Sequence, residues 1–233
     1  MPFNALTPAQ FTVLERQCAQ ELGFSLPVLI ETASFAIVEQ IKQMLGKLSH
    51  QKIVVMAGAG HNGADAIATA RRLAHWGSEV TILLAKNREE LNVMGHDQLQ
   101  MAEQFGIRIF DPGALTPPAD LVIDGLIGTG LHDTPKSQVA ELIQSALKLH
   151  VPILALDIPS GLDPTSGKAD QPVIRADATV TLGYAKTGLM KPFAKNLVGK
   201  LLLADLSFPT SFWQRVGLTP PIFENSPLLE IPL

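Results

Sequence analysis

The segment that most constrains this chain is Ile53-Val54-Val55-Met56-Ala57-Gly58-Ala59-Gly60-His61-Asn62-Gly63-Ala64-Asp65-Ala66. An apolar run ends in a glycine-rich turn, and the turn opens into a helical spacing of Ala66, Ala70, Leu73 and Ala74. A strand without polar alternation has to be covered on both faces, which a parallel sheet between helical layers achieves. The free N–H groups of a helix start bind anions. Gly58, Gly60 and Gly63 also satisfy the dinucleotide spacing G-x-G-x-x-G. Asn62 and Asp65 are foreign to that use, because a carboxylate beside the helix end repels a pyrophosphate. The loop therefore reads as a ligand site of another kind.

The same alternation continues. Apolar runs at 52–57, 79–85, 107–110, 120–124, 152–157, 178–183 and 199–205 are strand candidates. Helices are predicted at 8–22, 27–46, 64–76, 89–105 and 136–149. The order predicts a Rossmann-like, three-layer, doubly wound α/β fold with a mostly parallel sheet and extra N-terminal helices. Helices are not expected after about residue 165. The segment 209–233, with Pro209, Pro220, Pro221, Pro227 and Pro232, is expected to be extended and to wrap the surface of a single domain.

Composition narrows the function classes. Charged residues make up 17% of the 233, the net charge is −4, and no basic run is present, which argues against nucleic acid. Cys18 is the single cysteine and fits a packed residue in a reducing, cytoplasmic setting. No apolar stretch approaches the ~18 residues of a membrane span, and no signal-peptide pattern opens the sequence. Zinc spacing, a G-x-S-x-G elbow and a Walker loop are all missing from the sequence.

In a doubly wound sheet, ligands sit beyond the carboxyl ends of the strands. Four predicted strands end in glycine-containing turns with polar residues: Gly58 to Asp65, Asp124 to Leu131, Asp157 to Asp163, and Gly183 to Gly188. Asp124 and Asp157 close otherwise apolar strands, where burial raises a carboxyl pKa or demands a partner. Each also has a plainer reading as a turn former, and Asp65 as a carboxylate at a helix start. Ser160, Lys186 and His61 stand between ligand contact and ordinary turn or surface roles.

Together these turns resemble the NAD(P)H-hydrate epimerase family, the YjeF N-terminal domain. The motifs run in order through Leu29-Ile30-Glu31-Thr32-Ala33, Gly60-His61-Asn62-Gly63-Ala64-Asp65-Ala66, Asp124-Gly125-Leu126-Ile127-Gly128-Thr129-Gly130, Asp157-Ile158-Pro159-Ser160-Gly161-Leu162-Asp163, Ala176 to Leu182, and Lys186. The resemblance spans roughly residues 8–208. It implies interconversion of the R and S forms of 6-hydroxylated NADH or NADPH, with the S form passed to a dehydratase on a separate chain. It also implies a homodimer. Residues His61, Asn62, Gly63, Ala64 and Asp65, the run Gly128, Thr129, Gly130, Leu131, His132, Asp133 and Thr134, and also Asp157 and Lys186 would contact the hydrate. Asn62, Asp124 and Ser160 would hold a potassium ion, and oxygen donors suit such a hard cation.

The hydrate can lose its C6 hydroxyl with help from the ring nitrogen, and water can then add to the other face. That requires acid–base groups, for which Asp157 is the first choice and Asp65 the second, with Lys186 a further candidate. The family's usual loop reads Asn-Asn-Gly-Gly-Asp-Gly. Here His61 replaces the first asparagine, and Ala64 and Ala66 replace glycines. Ala64 is expected to be strained where the backbone meets ligand. Two other readings compete. An NADP-dependent oxidoreductase would use Lys86 and Arg88 on a 2′-phosphate, and a non-catalytic scaffold would keep only the fold.

Overall fold

The computed structural model describes residues 5–130, 134–169 and 171–233. Helix α1 (Pro8–Leu22) starts at a capping box between Thr7 and Gln10 and stops at Gly23, whose φ of 73° is left-handed. Helix α2 (Leu26–Leu45) follows at a bend of 114°. Then come β1 (Lys52–Ala57), α3 (His61–His75), β2 (Glu79–Leu84), α4 (Val93–Glu103), β3 (Arg108–Phe110), β4 (Leu121–Gly125), α5 (Ser137–Lys148), β5 (Ile153–Leu156) and β6 (Ala178–Leu182). The chain closes with α6 (Lys195–Val198), β7 (Lys200–Ala204), α7 (Thr210–Arg215) and β8 (Leu228–Ile231). No single helix among the described residues is long and apolar enough to cross a membrane.

The eight strands lie in the order β3-β2-β1-β4-β5-β6-β7-β8. All neighbours are parallel except β7 and β8. From β1 the chain first runs outward through β2 to β3, then returns to place β4 on the other side of β1. The switch point lies between β1 and β4. Alternate residues of each central strand enter different cores. Ile53, Val55 and Ala57 pack with Ile37 and Ile41 of α2 and with Ala66, Ile67 and Leu73 of α3. Val54 and Met56 pack with Leu142, Ile143 and Ala146 of α5. Every residue of β4 is buried, as a strand covered on both faces must be.

Two expectations change in the last third. Helices do not end near residue 165, because the short α6 and α7 are present. The segment 209–233 is not merely extended. Phe212 and Trp213 of α7 are buried and stack against Phe208, with ring centroids 5.9 and 5.5 Å apart. Strand β8 pairs antiparallel with β7. The prolines flank these elements instead of interrupting them: Pro227 and Pro232 bracket β8, at the sheet edge where proline is tolerated.

Candidate functional site

The turns after β1, β4 and β5 converge at the switch point. Their approach is close enough to require glycine at specific positions. A Cβ on Gly58 would stand 1.9 Å from the Leu126 carbonyl oxygen, and one on Gly63 would stand 1.9 Å from the Gly58 carbonyl oxygen. The loops after β1 and β4 and the first turn of α3 therefore form one packed unit. Beside it opens a cavity of about 580 Å³, lined among others by Phe11, Glu15, His61, Asn62, Asp65, Gly128 to Gly130, Thr134, Asp157 and Leu182. That volume is in the range of small-molecule sites.

Asp157 follows β5 directly and has a φ of 60°. This left-handed conformation is uncommon for a residue with a side chain, although Asp tolerates it better than most. The side chain is held on one oxygen. Oδ1 accepts hydrogen bonds from Lys186 Nζ at 2.6 Å, Thr181 Oγ1 at 3.1 Å and the Leu182 N–H at 3.1 Å. Oδ2 has no hydrogen bond among the described residues. Lys186 is completely buried. Its ammonium also donates to the Leu182 carbonyl at 2.8 Å and lies 4.0 Å from the centre of the Phe11 ring, a cation–π arrangement. Lys186 thus stands behind Asp157 and does not line the cavity, contrary to the expected substrate contact.

Asp124 is wholly buried on β4, and it fastens the turn after β5. Oδ2 accepts the Ser160 N–H at 2.8 Å, and Oδ1 accepts the Ser160 hydroxyl at 2.6 Å and the Leu126 N–H at 3.2 Å. Burial pushes its pKa up to about 6, and those hydrogen bonds restrain the rise. Ser160 Oγ in turn accepts the Ile127 N–H at 2.9 Å. Asn62 is also buried, and both of its side-chain polar atoms lack a hydrogen-bond partner among the described residues. Its amide rests against Gly128, where a Cβ would stand 3.3 Å from Asn62 Cγ. An orphaned buried amide is costly without a ligand.

Asp65 is buried just past the first turn of α3. Burial, then the nearby Asp157 and Glu15, lift its pKa well above the usual carboxylate range, against the attraction of Lys186. Glu15, from α1, is raised by burial first and by Asp157 last, with Lys186 pulling the other way. Neither carboxylate has a hydrogen bond or an ion pair among the described residues. Glu15 and Phe11 were not singled out in the sequence. One signal was available: Glu15 interrupts the edge of the apolar stripe Phe11, Leu14, Cys18 on a helix whose other acid, Glu21, is exposed. Cys18 itself is fully buried, and its thiol is pushed up to about 11, mainly by burial, which suits packing and not nucleophilic attack.

Other expected contacts sort clearly. His61, Thr129, Gly130 and Thr134 line the cavity. Gly63 sits behind it, filled by the Gly58 backbone. Ala64 faces away, packed with Ile30 and Ala68, and adopts ordinary helical geometry within α3, so the expected strain is absent. Leu131, His132 and Asp133 lie outside the described residues. Glu31 forms ion pairs with both Arg71 and Arg72, which clamps α2 onto α3. At the end of β2, Arg88 is committed to Glu103 and Asp111 and Lys86 to Glu90, so the basic pair of the oxidoreductase reading is already occupied.

Residues 27–188 match the family described as YjeF-related protein N-terminus. The chain belongs to this family. Among curated relatives, the NAD(P)H-hydrate epimerase of Limosilactobacillus fermentum is 32% identical over 209 residues, covering 88% of this chain and 98% of the relative. The NAD(P)H-hydrate epimerase of Dehalogenimonas lykanthroporepellens is 35% identical over 220 residues, covering 92% and 88%. The crystal structure of the yeast protein YNL200c superposes with a TM-score of 0.84 over 98% of this chain and 100% of that one, at 19% identity. This likeness carries the YjeF-type fold across the whole described molecule. The family match contains every site residue named above except Phe11 and Glu15.

Proposed function

We propose that this protein is an NAD(P)H-hydrate epimerase, which interconverts the R and S forms of 6-hydroxylated NADH and NADPH. The observation that carries this reading is Asp157 in the cavity wall, ion-paired with Lys186 through one oxygen and free on the other. It occurs in a chain whose relatives bear the epimerase name. The reaction exchanges one hydroxyl on C6 of a reduced pyridine ring. The ring nitrogen's lone pair expels the hydroxyl once it is protonated, and water then closes on the opposite face of the cationic ring. The protein has to bind the dinucleotide, supply a proton and remove one. The free oxygen of Asp157 is suited to accept a proton or a hydrogen bond from the reacting water. The positive end of α3, near Gly60 and His61, and the backbone of Gly128 to Gly130 are suited to the phosphates.

A potassium ion belongs to the same reading. Its donors would be Asn62, Asp124 and Ser160. The fit is supported by the orphaned Asn62 amide and by the oxygen character of all three side chains. When bound, such an ion would supply positive charge that offsets Asp124 and the ligand's phosphates. The S product feeds a dehydratase that restores the reduced cofactor. We further take the enzyme to act as a homodimer in the cytoplasm, where a lone buried thiol stays reduced.

The test is direct. R and S hydrates of NADH are purified and their interconversion is followed by NMR or chiral chromatography, above the rate in buffer alone. Interconversion that grows in proportion to enzyme supports the proposal. A rate equal to the buffer rate for both hydrates refutes it.

A further inference from the structure

Inversion at C6 needs two groups at once. One gives a proton to the departing hydroxyl, and the other takes a proton from the arriving water. In the forward direction Asp157 is suited to the second task, because its Oδ1 is taken up by Lys186, Thr181 and the Leu182 N–H while its Oδ2 stays open to the arriving water. The first task calls for a carboxyl group that lines the cavity, whose surroundings favour its protonated form, and that has no competing partner. Resting on the epimerase reading, we propose that Glu15 of α1 is the general acid of the reaction.

The geometry supports this in three ways. Glu15 lines the same cavity as Asp157 and Asp65, on a helix anchored one turn earlier by Phe11, which stacks over Lys186. Its carboxyl group is free of hydrogen bonds and ion pairs among the described residues, so its proton is available to a ligand. The charged groups that act on it come from the turns after β5 and β6, namely Asp157 and Lys186, while Asp65 faces the cavity from α3. The Lys186 ammonium is already bound to Asp157 at 2.6 Å, and His61 and Lys136 also line the cavity, from the start of α3 and the N-cap of α5. Of the two unpartnered acids, Asp65 is the more enclosed, at 7% exposure, whereas Glu15 is half-buried and can exchange its proton with solvent. Burial favours the protonated form of Glu15, as a general acid requires.

The proton and electron count closes. Glu15 gives its proton to the C6 hydroxyl oxygen. The C–O bond breaks with its electron pair on oxygen, which leaves as water, and the nitrogen lone pair forms the N=C6 bond. A water oxygen then bonds to C6 from the other face, and the N=C6 pair returns to nitrogen. The surplus proton of that water passes to Asp157 Oδ2, and cavity water returns it to Glu15. In the reverse direction the two carboxyl groups exchange roles.

The experiment compares wild type, E15Q and E15D in hydrate interconversion, in hydrate affinity by calorimetric titration and in rate against pH. The expected result is that E15Q slows interconversion by at least ~100-fold while affinity changes less than threefold, with E15D partly restoring the rate. The wild-type rate should fall as rising pH strips the proton from Glu15, and this limb should vanish in E15Q. A rate for E15Q within threefold of wild type, or equal losses of rate and affinity, overturns the assignment while leaving the epimerase reading intact. An inactive wild type removes the underlying reading instead. A thermal melt of E15Q within a few degrees of wild type excludes misfolding, and E15D decides the question if E15Q fails to fold.

Discussion

Replacing Lys186 with methionine tests how the site is held together. The side chain is completely buried and donates to the Asp157 carboxylate at 2.6 Å and to the Leu182 carbonyl at 2.8 Å. Methionine keeps the length and the contact with Phe11 but removes both donors. Asp157 then becomes a nearly buried anion, its side chain 12% exposed, supported only by Thr181 and the Leu182 N–H. Removing one partner of a buried pair costs about 3–5 kcal/mol. The two surviving donors and the open Oδ2 place this case near the low end, about 3 kcal/mol. For a chain of this size that corresponds to a drop in Tm of roughly 6–12 °C. Urea unfolding and calorimetry of K186M, D157N and the double variant form a thermodynamic cycle. The double variant should be more stable than K186M, because it no longer buries a lone charge. A K186M protein within about 0.5 kcal/mol of wild type, or strictly additive losses in the double variant, would show that the pair is not coupled and that Lys186 does not position Asp157.

Three further outcomes follow from the same geometry. D157N preserves shape and most donors' partners, so hydrate affinity should persist while interconversion slows by ~100-fold or more in the NMR assay. Asp124 holds a proton up to about pH 6 in the folded chain but only to 3.8 when unfolded, so stability should fall as pH rises between those values, by up to about 3 kcal/mol. Potassium should recover part of that loss above pH 6 in urea melts at constant ionic strength, and D124N should abolish both the slope and the potassium effect. A64G should lower stability by ~1 kcal/mol and leave the interconversion rate unchanged, because Ala64 is a helical residue packed on Ile30.

The parallel sheet was legible because its strands are short apolar runs closed by glycine turns. Asp124 and Asp157 stood out because each follows residues that only a buried strand accommodates. Two things were hidden. Strand β8 depends on pairing with β7, a long-range contact with no local signature in a proline-rich stretch. Glu15 was not singled out, because its place at the edge of the apolar stripe of α1 does not say that α1 covers the cavity. Lys186 was misread for the same reason: its burial is created by Phe11 and Leu6, far away in sequence. Ala64 was misjudged through its neighbours, because the helix begins at His61 and takes the residue out of the turn.

The docking of Leu6 beside Lys186 has a consequence for the order of assembly. The Leu6 N–H donates to the Ala185 carbonyl, and the Thr187 N–H donates to Leu6, so the N-terminal segment forms a one-residue strand extension against the turn after β6. During synthesis this segment leaves the ribosome long before its partner, which emerges only after six of the eight strands. Contacts this distant in sequence are slow to close. The wall that carries Phe11 and Glu15 therefore cannot be fixed until the turn after β6 exists. A chain caught before that step would have a folded nucleotide platform, a wet Lys186 and no finished active site.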